Sequence, residues 1–252
     1  MRDSLISNSP IRSGFEHSSS FEHINTWVFD LDNTLYPPDS DLWPKIDHRI
    51  TLYLANLFGL DGLSSRALQK YYYQKYGTSL KGLMLEHGID PHGFLQFAHD
   101  IDRSTLPPNP ALSDAIAALP GRKLIFTNGS TGHAEATAKQ LGILHHFEDI
   151  FDIVSSDYVP KPDPETYRLF FEKHGVDPTR AAMFEDLEKN LVAAHANGMT
   201  TVLIVAKQGQ HDHREAWEKV VAVPAHVDFV TDDLAGFLAG LVPQRALPAT
   251  VS

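Results

Sequence analysis

The chain of 252 residues carries 32 acidic and 21 basic side chains, a formal net charge of -11 at pH 7, and 42% of its residues are hydrophobic. The length and the hydrophobic content are enough to bury the core of one large globular domain, or of one domain with a smaller insert. Nucleic-acid polymers and anionic membranes bind clustered lysines and arginines, and no such block is present, so the charge argues against both partners. A small or metal-bridged substrate is easier to reconcile with it.

The chain contains no cysteine. A disulfide framework and thiolate chemistry are therefore excluded, which is typical of a reducing compartment. No apolar stretch reaches the length of a membrane span, and the N-terminus lacks the hydrophobic core of a signal peptide. We expect a cytoplasmic protein that is a monomer or a homodimer.

Short runs rich in β-branched and aromatic residues alternate with helical patterns after a serine-rich leader at 1–20, which we expect to be disordered. The predicted strands, of which the last is the weakest, are 24–29, 123–126, 150–155, 181–184, 201–205 and 227–230. The alternation predicts an α/β fold in which a Rossmann-like parallel sheet has helices on both faces.

One long stretch interrupts this alternation and has helical spacing only. Apolar residues recur at three- or four-residue steps from Leu42 to Leu57, and a second such stripe begins at Leu63. Shorter helices are predicted at 80–86 and 94–101, each next to Gly or Pro.

Proline-rich connectors, YPPDS and LPPNP, bracket this helical stretch. Stiff connectors at both ends are expected for a small domain hinged on a larger one. We therefore expect an all-helical cap at 38–106, inserted into a catalytic core formed by 21–37 and 107–240. A flexible tail would follow at 241–252.

Polar side chains follow four of the predicted strands at the C-terminal ends, where open parallel sheets bind ligands. The first strand leads into Asp30 and Asp32, in the run WVFDLDNTLYP. The second is followed by Thr127, Asn128 and Gly129, a hydroxyl and backbone N–H groups in a turn that can hold an anion.

The third and fourth strands add a lysine and an acidic pair. Lys161 lies between Pro160 and Pro162, whose stiffness would aim its ammonium group, and the fourth strand ends in Glu185 and Asp186. Two like charges about 4 Å apart repel by ~4 kcal/mol at an effective dielectric of ~20, so one pocket with four carboxylates needs a further cation. Mg²⁺, held by carboxylates and substrate phosphate, fits best.

The two aspartates of the first motif have separable roles. Asp30 would attack phosphorus and form an aspartyl phosphate. Asp32 would protonate the leaving oxygen and then deprotonate the water that hydrolyses this intermediate. Thr127 and the amides after it would hold the phosphoryl oxygens, while Lys161 and the metal neutralise charge that develops in the transition state.

The ordered set of motifs resembles the haloacid dehalogenase superfamily of phosphohydrolases, whose pattern is Asp-x-Asp-x-Thr, then Thr or Ser, then Lys, then an acidic pair. The resemblance covers about residues 24–206. It implies that the carboxylate of Asp30, the backbone carbonyl of Asp32 and the acid Asp186 bind Mg²⁺, with Glu185 binding directly or through water. The dehalogenases proper lack the second aspartate, so Asp32 favours phosphate chemistry.

Several stretches are similar to a bacterial branch identified as pyrimidine 5′-nucleotidases, among them FDLDNTLYP, GRKLIFTNGS, DYVPKPDPETY and AAMFEDLEKNL. This resemblance implies a small phosphomonoester substrate, a nucleoside monophosphate such as UMP or CMP. Tyr36, next to the first motif and the hinge, is a candidate for contact with the leaving group. The tyrosines of the run YYYQKY cannot all face one ligand, because successive helical side chains point about 100° apart, and we expect them to pack inside the cap.

Other interpretations stay open. A sugar-phosphate phosphatase or a phosphomutase would use the same core, and nothing in the cap sequence excludes either. A non-catalytic phosphate-binding or regulatory module is the alternative of another class, but a binder has no need of a general acid at Asp32. His211 and His213 have metal-like spacing in a polar loop, without a nearby third ligand for zinc.

Overall fold

The computed structural model describes residues 18–219 and 222–242. Its strands are β1 (Thr26–Phe29), β2 (Arg122–Phe126), β3 (Asp149–Phe151), β4 (Ala181–Glu185), β5 (Thr200–Ile204) and β6 (Phe229–Thr231). All neighbours pair in parallel, and the sheet has the order β3-β2-β1-β4-β5-β6. The predicted α/β fold with a Rossmann-like parallel sheet is confirmed.

Helices connect the strands and also fill the long excursion between β1 and β2. They are α1 (Leu42–Phe58), α2 (Gly62–Tyr76), α3 (Ser79–His87), α4 (Pro91–His99), α5 (Pro110–Ala118), α6 (Thr131–Leu141), α7 (Pro164–His174), α8 (Glu188–Ala196) and α9 (Leu234–Leu241). Within the described ranges, none of these helices is both long enough and apolar enough to cross a bilayer.

The sheet lies between two helical layers. Successive strand side chains point to opposite faces, so each strand packs against both layers. Trp27 and Phe29 belong to one apolar cluster, with side chains of α5, α6 and α9. Val28 belongs to the other, with side chains of α7 and α8. Burial on both faces explains why β1 is a continuous apolar run in the sequence. Each large apolar side chain buried in this way contributes about 1.5–3 kcal/mol.

Helices α1 to α4 share a separate apolar cluster around Leu54, Tyr72, Leu83 and Phe94. The local sequence defines their ends: α1 stops at Gly59, which has a φ of 65°, and α2 starts after Asp61, whose carboxylate accepts the first free amides of the helix. These four helices lie within the segment predicted to be the cap. The division into cap and core at residues 38 and 106 stays a prediction.

Among the strand boundaries that differ from the sequence prediction, two do so because aspartates bind backbone amides. The third strand ends at Phe151 instead of residue 155, since the carboxylate of Asp152 accepts the N–H groups of Thr131 and Ser155 in a turn. The last strand begins at Phe229 instead of residue 227, and the Asp228 side chain accepts the N–H of a β5 residue.

Both predicted terminal segments fall largely outside the described residues. In the predicted leader, positions 1–17 lie outside, and Ser18–Phe21 form a short 3₁₀ turn that packs Phe21 against the core. In the predicted tail, Leu241 is the last residue of α9, and positions 243–252 lie outside.

Candidate active site

The acidic side chains come together where the strand order reverses. From β1 the sheet grows through β2 and β3 on one side and through β4, β5 and β6 on the other, so the crevice lies beyond the C-terminal ends of β1 and β4. Asp30 follows β1, Glu185 ends β4 and Asp186 follows it. One carboxylate oxygen from each of the three lies within 4.8 Å of the other two. In the described part of the chain, no other group of metal-ligating side chains is brought together in this way.

Lys161 is buried in the centre of this cluster. Its Nζ donates to Oδ1 of Asp30 at 2.7 Å, to Oε2 of Glu185 at 2.7 Å and to the carbonyl oxygen of Phe126 at 2.8 Å. These three bonds use all three protons of the ammonium group. Asn128 holds the lysine in place, since its Oδ1 accepts the backbone N–H of Lys161 at 2.8 Å. Burial alone would lower the pKa of Lys161, but the carboxylates of Asp30 and Glu185 raise it, so the lysine is charged.

One lysine does not neutralise the cluster. Burial, and then the charge of Glu185, raises the pKa of Asp30 to about 8 even with Lys161 in contact. The same two causes raise the pKa of Asp186 well above its usual value. In addition, Oδ2 of Asp186 is buried without a hydrogen-bond partner. The positive charge that the side chains supply near Asp186 therefore does not offset its burial and the charge of Glu185.

These observations fit a hard divalent cation. The donor set of Asp30, Glu185 and Asp186 is made only of oxygen, as Mg²⁺ prefers, and the orphaned oxygen of Asp186 would gain a partner. Asn190 adds a carbonyl oxygen, Oδ1, that is also buried without a partner and lines the same cleft. Asn190 was not predicted from the sequence. Its signal was an amide side chain four positions after Asp186, in the first turn of α8.

A second cation near the acids also escaped the sequence analysis. Arg214, in the loop after β5, is buried, and its Nη1 donates to the backbone carbonyl oxygen of Asp186 at 2.7 Å. Its other nitrogens bind the carboxylate of Asp212 at 2.9 and 3.0 Å. Because Asp212 pairs with this arginine, it is engaged within the chain.

The turn at 127–129, which is predicted to hold an anion and is called the anion corner below, lines the cleft beside these acids. The Oγ1 of Thr127 is buried and accepts the N–H of Gly129 at 2.9 Å, so this amide is engaged within the turn. A Cβ at position 129 would lie 3.3 Å from that Oγ1, 3.2 Å from a ring carbon of His133 and 3.8 Å from Oδ2 of Asp32. Glycine therefore keeps the space between Thr127 and Asp32 open. Thr127, Asn128 and Gly129 all line the cleft, as do Asp30, Asp32 and Lys161.

Asp32 is held differently from the other acids. Its Oδ1 accepts the hydroxyl of Tyr36 at 2.6 Å and lies 2.9 Å from Nε2 of His133. Burial alone would raise the pKa of Asp32, but His133 and Tyr36 lower it below the usual value. Contact of Tyr36 with the leaving group stays a prediction; in the structure Tyr36 is buried, does not line the cleft and binds Asp32. The reason is that a buried carboxylate oxygen needs donors, and Tyr36 supplies one.

The wall of the cleft opposite the sheet comes from α1 to α4. Lys70 of α2 donates to Asp47 of α1 at 2.7 Å and to Glu215, in the loop after β5, at 2.9 Å. Tyr73 donates to Glu218 of the same loop, and Nζ of Lys189 donates to the Tyr73 hydroxyl at 2.9 Å. Apolar residues complete this wall, namely Ile46, Ile50, Leu80, Phe94, Leu95 and Ala98.

The tyrosines of α2 lie in different environments, because successive helical side chains point in different directions. Tyr72 is buried in the cluster of α1 to α4, Tyr73 lines the cleft, and Tyr71 is 49% exposed. The rings of His211 and His213 lie 4.2 Å apart, and neither belongs to a group of three metal-ligating side chains among the described residues.

The parallel sheet brings Lys161, the Thr127 turn and the clustered acids together where its strand order reverses. This arrangement is typical of a class of hydrolases, and comparison with protein families identifies the class. Residues 24–198 match the family model of haloacid dehalogenase-like hydrolases. The chain belongs to this family, which confirms the resemblance to the haloacid dehalogenase superfamily found in the sequence.

Two curated relatives are similar over part of their length. Phosphate metabolism protein 8 of Saccharomyces cerevisiae is 29% identical over 204 residues, which is 74% of this chain and 63% of the relative. Fructose-1-phosphate phosphatase YqaB of Escherichia coli is 34% identical over 122 residues, which is 45% of this chain and 63% of the relative. The matches thus span less than two thirds of either relative.

Solved structures share the fold. L-2-haloacid dehalogenase from Xanthobacter autotrophicus superimposes with a TM-score of 0.53 at 18% identity, over 88% of this chain and 100% of that chain. A HAD phosphatase from Thermococcus onnurineus gives a TM-score of 0.51 at 17% identity, over 82% of this chain and 93% of that chain. At these identities the likeness shows the fold alone.

Proposed function

We propose that the protein is a Mg²⁺-dependent phosphomonoester hydrolase that acts through an aspartyl phosphate on Asp30. The observation that carries this proposal is the buried contact of Lys161 with both Asp30 and Glu185, beside an orphaned oxygen of Asp186. A nucleophile, a fixed cation and a place for a second cation lie together at the open end of the sheet. This is the arrangement that phosphoryl transfer requires.

In the first step, a carboxylate oxygen of Asp30 attacks phosphorus and the bond to the leaving oxygen breaks. Asp32 gives its proton to that oxygen, so the leaving group departs as a neutral alcohol. A phosphate dianion beside Asp32 would favour the protonated form of this carboxyl, which prepares it as an acid. The positive charge of Lys161 and the hydroxyl of Thr127 stabilise the charge on the phosphoryl oxygens.

In the second step, Asp32 takes a proton from water, and the water oxygen attacks the phosphorus of the aspartyl phosphate. The bond to Asp30 breaks, which releases phosphate and restores both carboxyl groups. When bound by Asp30, Asp186 and Glu185, Mg²⁺ would supply the positive charge that keeps these acids ionised and neutralises phosphate oxygens. The backbone carbonyl of Asp32 is the further ligand that the family resemblance implies.

For the substrate we propose a nucleoside 5′-monophosphate, with pyrimidine nucleotides such as UMP and CMP as first candidates. This finer assignment is supported by the sequence stretches similar to pyrimidine 5′-nucleotidases and by Trp43 and Tyr73, two aromatic rings that line the cleft. A sugar phosphate is the second candidate. It is favoured by the similarity to a fructose-1-phosphate phosphatase and by the polar groups of Asp47, Gln69 and Lys70 on the cleft wall, which suit hydroxyl groups.

The experiment is phosphate release from a panel of nucleoside monophosphates and sugar phosphates, with Mg²⁺ and with EDTA. Asp30→Asn serves as the blank, and Asp39→Asn, the same substitution at a half-buried aspartate that does not line the cleft, serves as the matched control. Metal-dependent release that favours UMP and CMP supports the nucleotidase, and release from sugar phosphates supports the second candidate.

Halide release from 2-haloacids without phosphate release from any ester would overturn the proposal, while a sugar phosphate that is only isomerised would indicate a phosphomutase. Phosphate binding without turnover would favour a non-catalytic module.

A further inference from the structure

A chain of hydrogen bonds runs behind the carboxylate of Asp32. Nη2 of Arg103 lies 2.8 Å from Nδ1 of His133, and Nε2 of the same imidazole lies 2.9 Å from Oδ1 of Asp32. The side chain of His133 is 0% exposed, so water does not compete for these bonds. Arg103 is half-buried in the connector between α4 and α5.

The arginine determines which imidazole nitrogen carries the proton. A guanidinium group only donates, so Nδ1 of His133 must accept from Arg103. The proton of the neutral ring is then on Nε2, from where it is donated to Asp32. The hydroxyl of Tyr36 donates to the same Oδ1 at 2.6 Å. Oδ1 of Asp32 is therefore fully engaged by two donors.

The second oxygen of Asp32 faces the reaction site. A Cβ built at Gly129 would lie 3.8 Å from this Oδ2 and 3.3 Å from Oγ1 of Thr127, which places Oδ2 at the anion corner. From this geometry we propose that His133 and Arg103 are positioning residues for Asp32: they fix Oδ1, so that Oδ2 is the oxygen that gives and takes the proton. This inference rests on the proposed function, in which Asp32 is the general acid and base.

The same arginine also joins the end of α4 to the core. Its guanidinium donates to the carbonyl oxygens of His99 and Ile101, each at 3.1 Å, and to Oγ1 of Thr137 on α6 at 3.2 Å. The ring of His99, the last residue of α4, stacks on the ring of His133 at 4.4 Å. The orientation of Asp32 is thus tied to the docking of α4 on α6, which explains why the positioning residue comes from this connector.

The test compares His133→Met with His133→Gln, two side chains of the same length. Glutamine can place an N–H near the position of Nε2 and methionine cannot. Each variant is assayed on an alkyl phosphomonoester and on p-nitrophenyl phosphate. An alcohol leaves poorly without a proton, whereas nitrophenolate leaves without one. We expect His133→Met to lower kcat for the alkyl ester by about 10²-fold with little change in KM, because a displaced acid costs about this factor.

With p-nitrophenyl phosphate, His133→Met should release nitrophenolate in a burst close to one equivalent per site. Slow steady turnover should follow, because phosphoenzyme formation no longer needs the acid while its hydrolysis still needs the base. His133→Gln should recover most of the alkyl-ester activity. Equal losses on both esters without a burst, or a glutamine variant as impaired as the methionine variant, would overturn the positioning role.

A measurement without turnover keeps the test decisive if the His133 variants do not fold. Nitrogen NMR of the wild-type imidazole should show the Nε2–H tautomer, and Arg103→Met should shift the population toward the Nδ1–H tautomer. A wild-type Nδ1–H tautomer would overturn the inference whatever the activity. Wild-type protein that releases no phosphate from either ester would instead overturn the proposed function, so the two failures are distinguishable.

Discussion

The ammonium group of Lys161 lies 2.7 Å from Oδ1 of Asp30, and both side chains are buried at the end of the sheet. The lysine orients the carboxylate that would attack phosphorus, and it is shared with Glu185. Since its third proton goes to the Phe126 carbonyl, Lys161 has none left for another acid. A cation other than Lys161 must therefore neutralise the carboxylate of Asp186.

Replacing Lys161 by methionine should remove both activity and stability. Loss of a charge aimed at the transferring phosphoryl group is expected to lower kcat by about 10²–10³-fold. Breaking a buried ion pair by removing one partner typically costs about 3–5 kcal/mol in the free energy of unfolding. Urea unfolding in EDTA and initial rates in Mg²⁺ measure the two effects. A variant as stable as the wild type would show that Asp30 and Glu185 do not depend on the lysine.

Asp30→Asn should abolish turnover without destabilising the fold. The amide cannot attack phosphorus, and it also removes a buried acid whose pKa is raised to about 8 by burial and by Glu185. We therefore expect a melting temperature equal to or above that of the wild type. Acid-quenched wild-type protein should carry phosphate on Asp30, and the variant should not. A variant that still turned over substrate would assign the nucleophile to another side chain.

Asp186→Ala should weaken Mg²⁺ binding, because it removes the carboxylate oxygen that is buried without a partner. We expect the Mg²⁺ dissociation constant from titration calorimetry to rise by at least about tenfold, while Asp186→Asn, which keeps one oxygen, should have a smaller effect. Asp39→Ala is the matched control, since Asp39 does not line the cleft. The same Mg²⁺ affinity in Asp186→Ala would remove Asp186 from the metal site.

The sequence predicts that Asp30, Glu185 and Asp186 meet at one place, but not the partners of Asp32. Asp30 follows and Glu185 ends a short apolar run typical of a buried strand, so their meeting at one sheet edge is a consequence of parallel topology. His133 reaches Asp32 across 101 positions, and Arg103 lies in a connector with no regular pattern. Such contacts depend on how helices dock, which hydrophobic periodicity does not specify.

Stability should depend on pH through Asp47, which joins α1 to α2. Only 13% of this side chain is exposed, and its carboxylate accepts bonds from Gln69 and Lys70, each at 2.7 Å, and from Arg66. Burial alone would raise the pKa of Asp47, but Lys70 and then Arg66 lower it below the usual value. The folded state thus binds the proton more weakly than the unfolded state. The stabilisation is therefore present above the unfolded pKa, about 3.9, and is lost as the pH falls through the folded pKa.

Asp47→Asn tests this linkage, because the amide has nearly the same shape and does not titrate. At pH 7 the variant should be less stable by about 1–3 kcal/mol, since two cations lose a charged partner. The difference from the wild type should shrink as the pH falls below about 4, where Asp47 of the unfolded wild-type chain gains its proton before Asp47 of the folded chain does. Urea unfolding of both proteins between pH 7 and pH 2 measures the difference. A difference that stays constant over this range would mean that Asp47 acts through hydrogen-bond geometry and not through its charge.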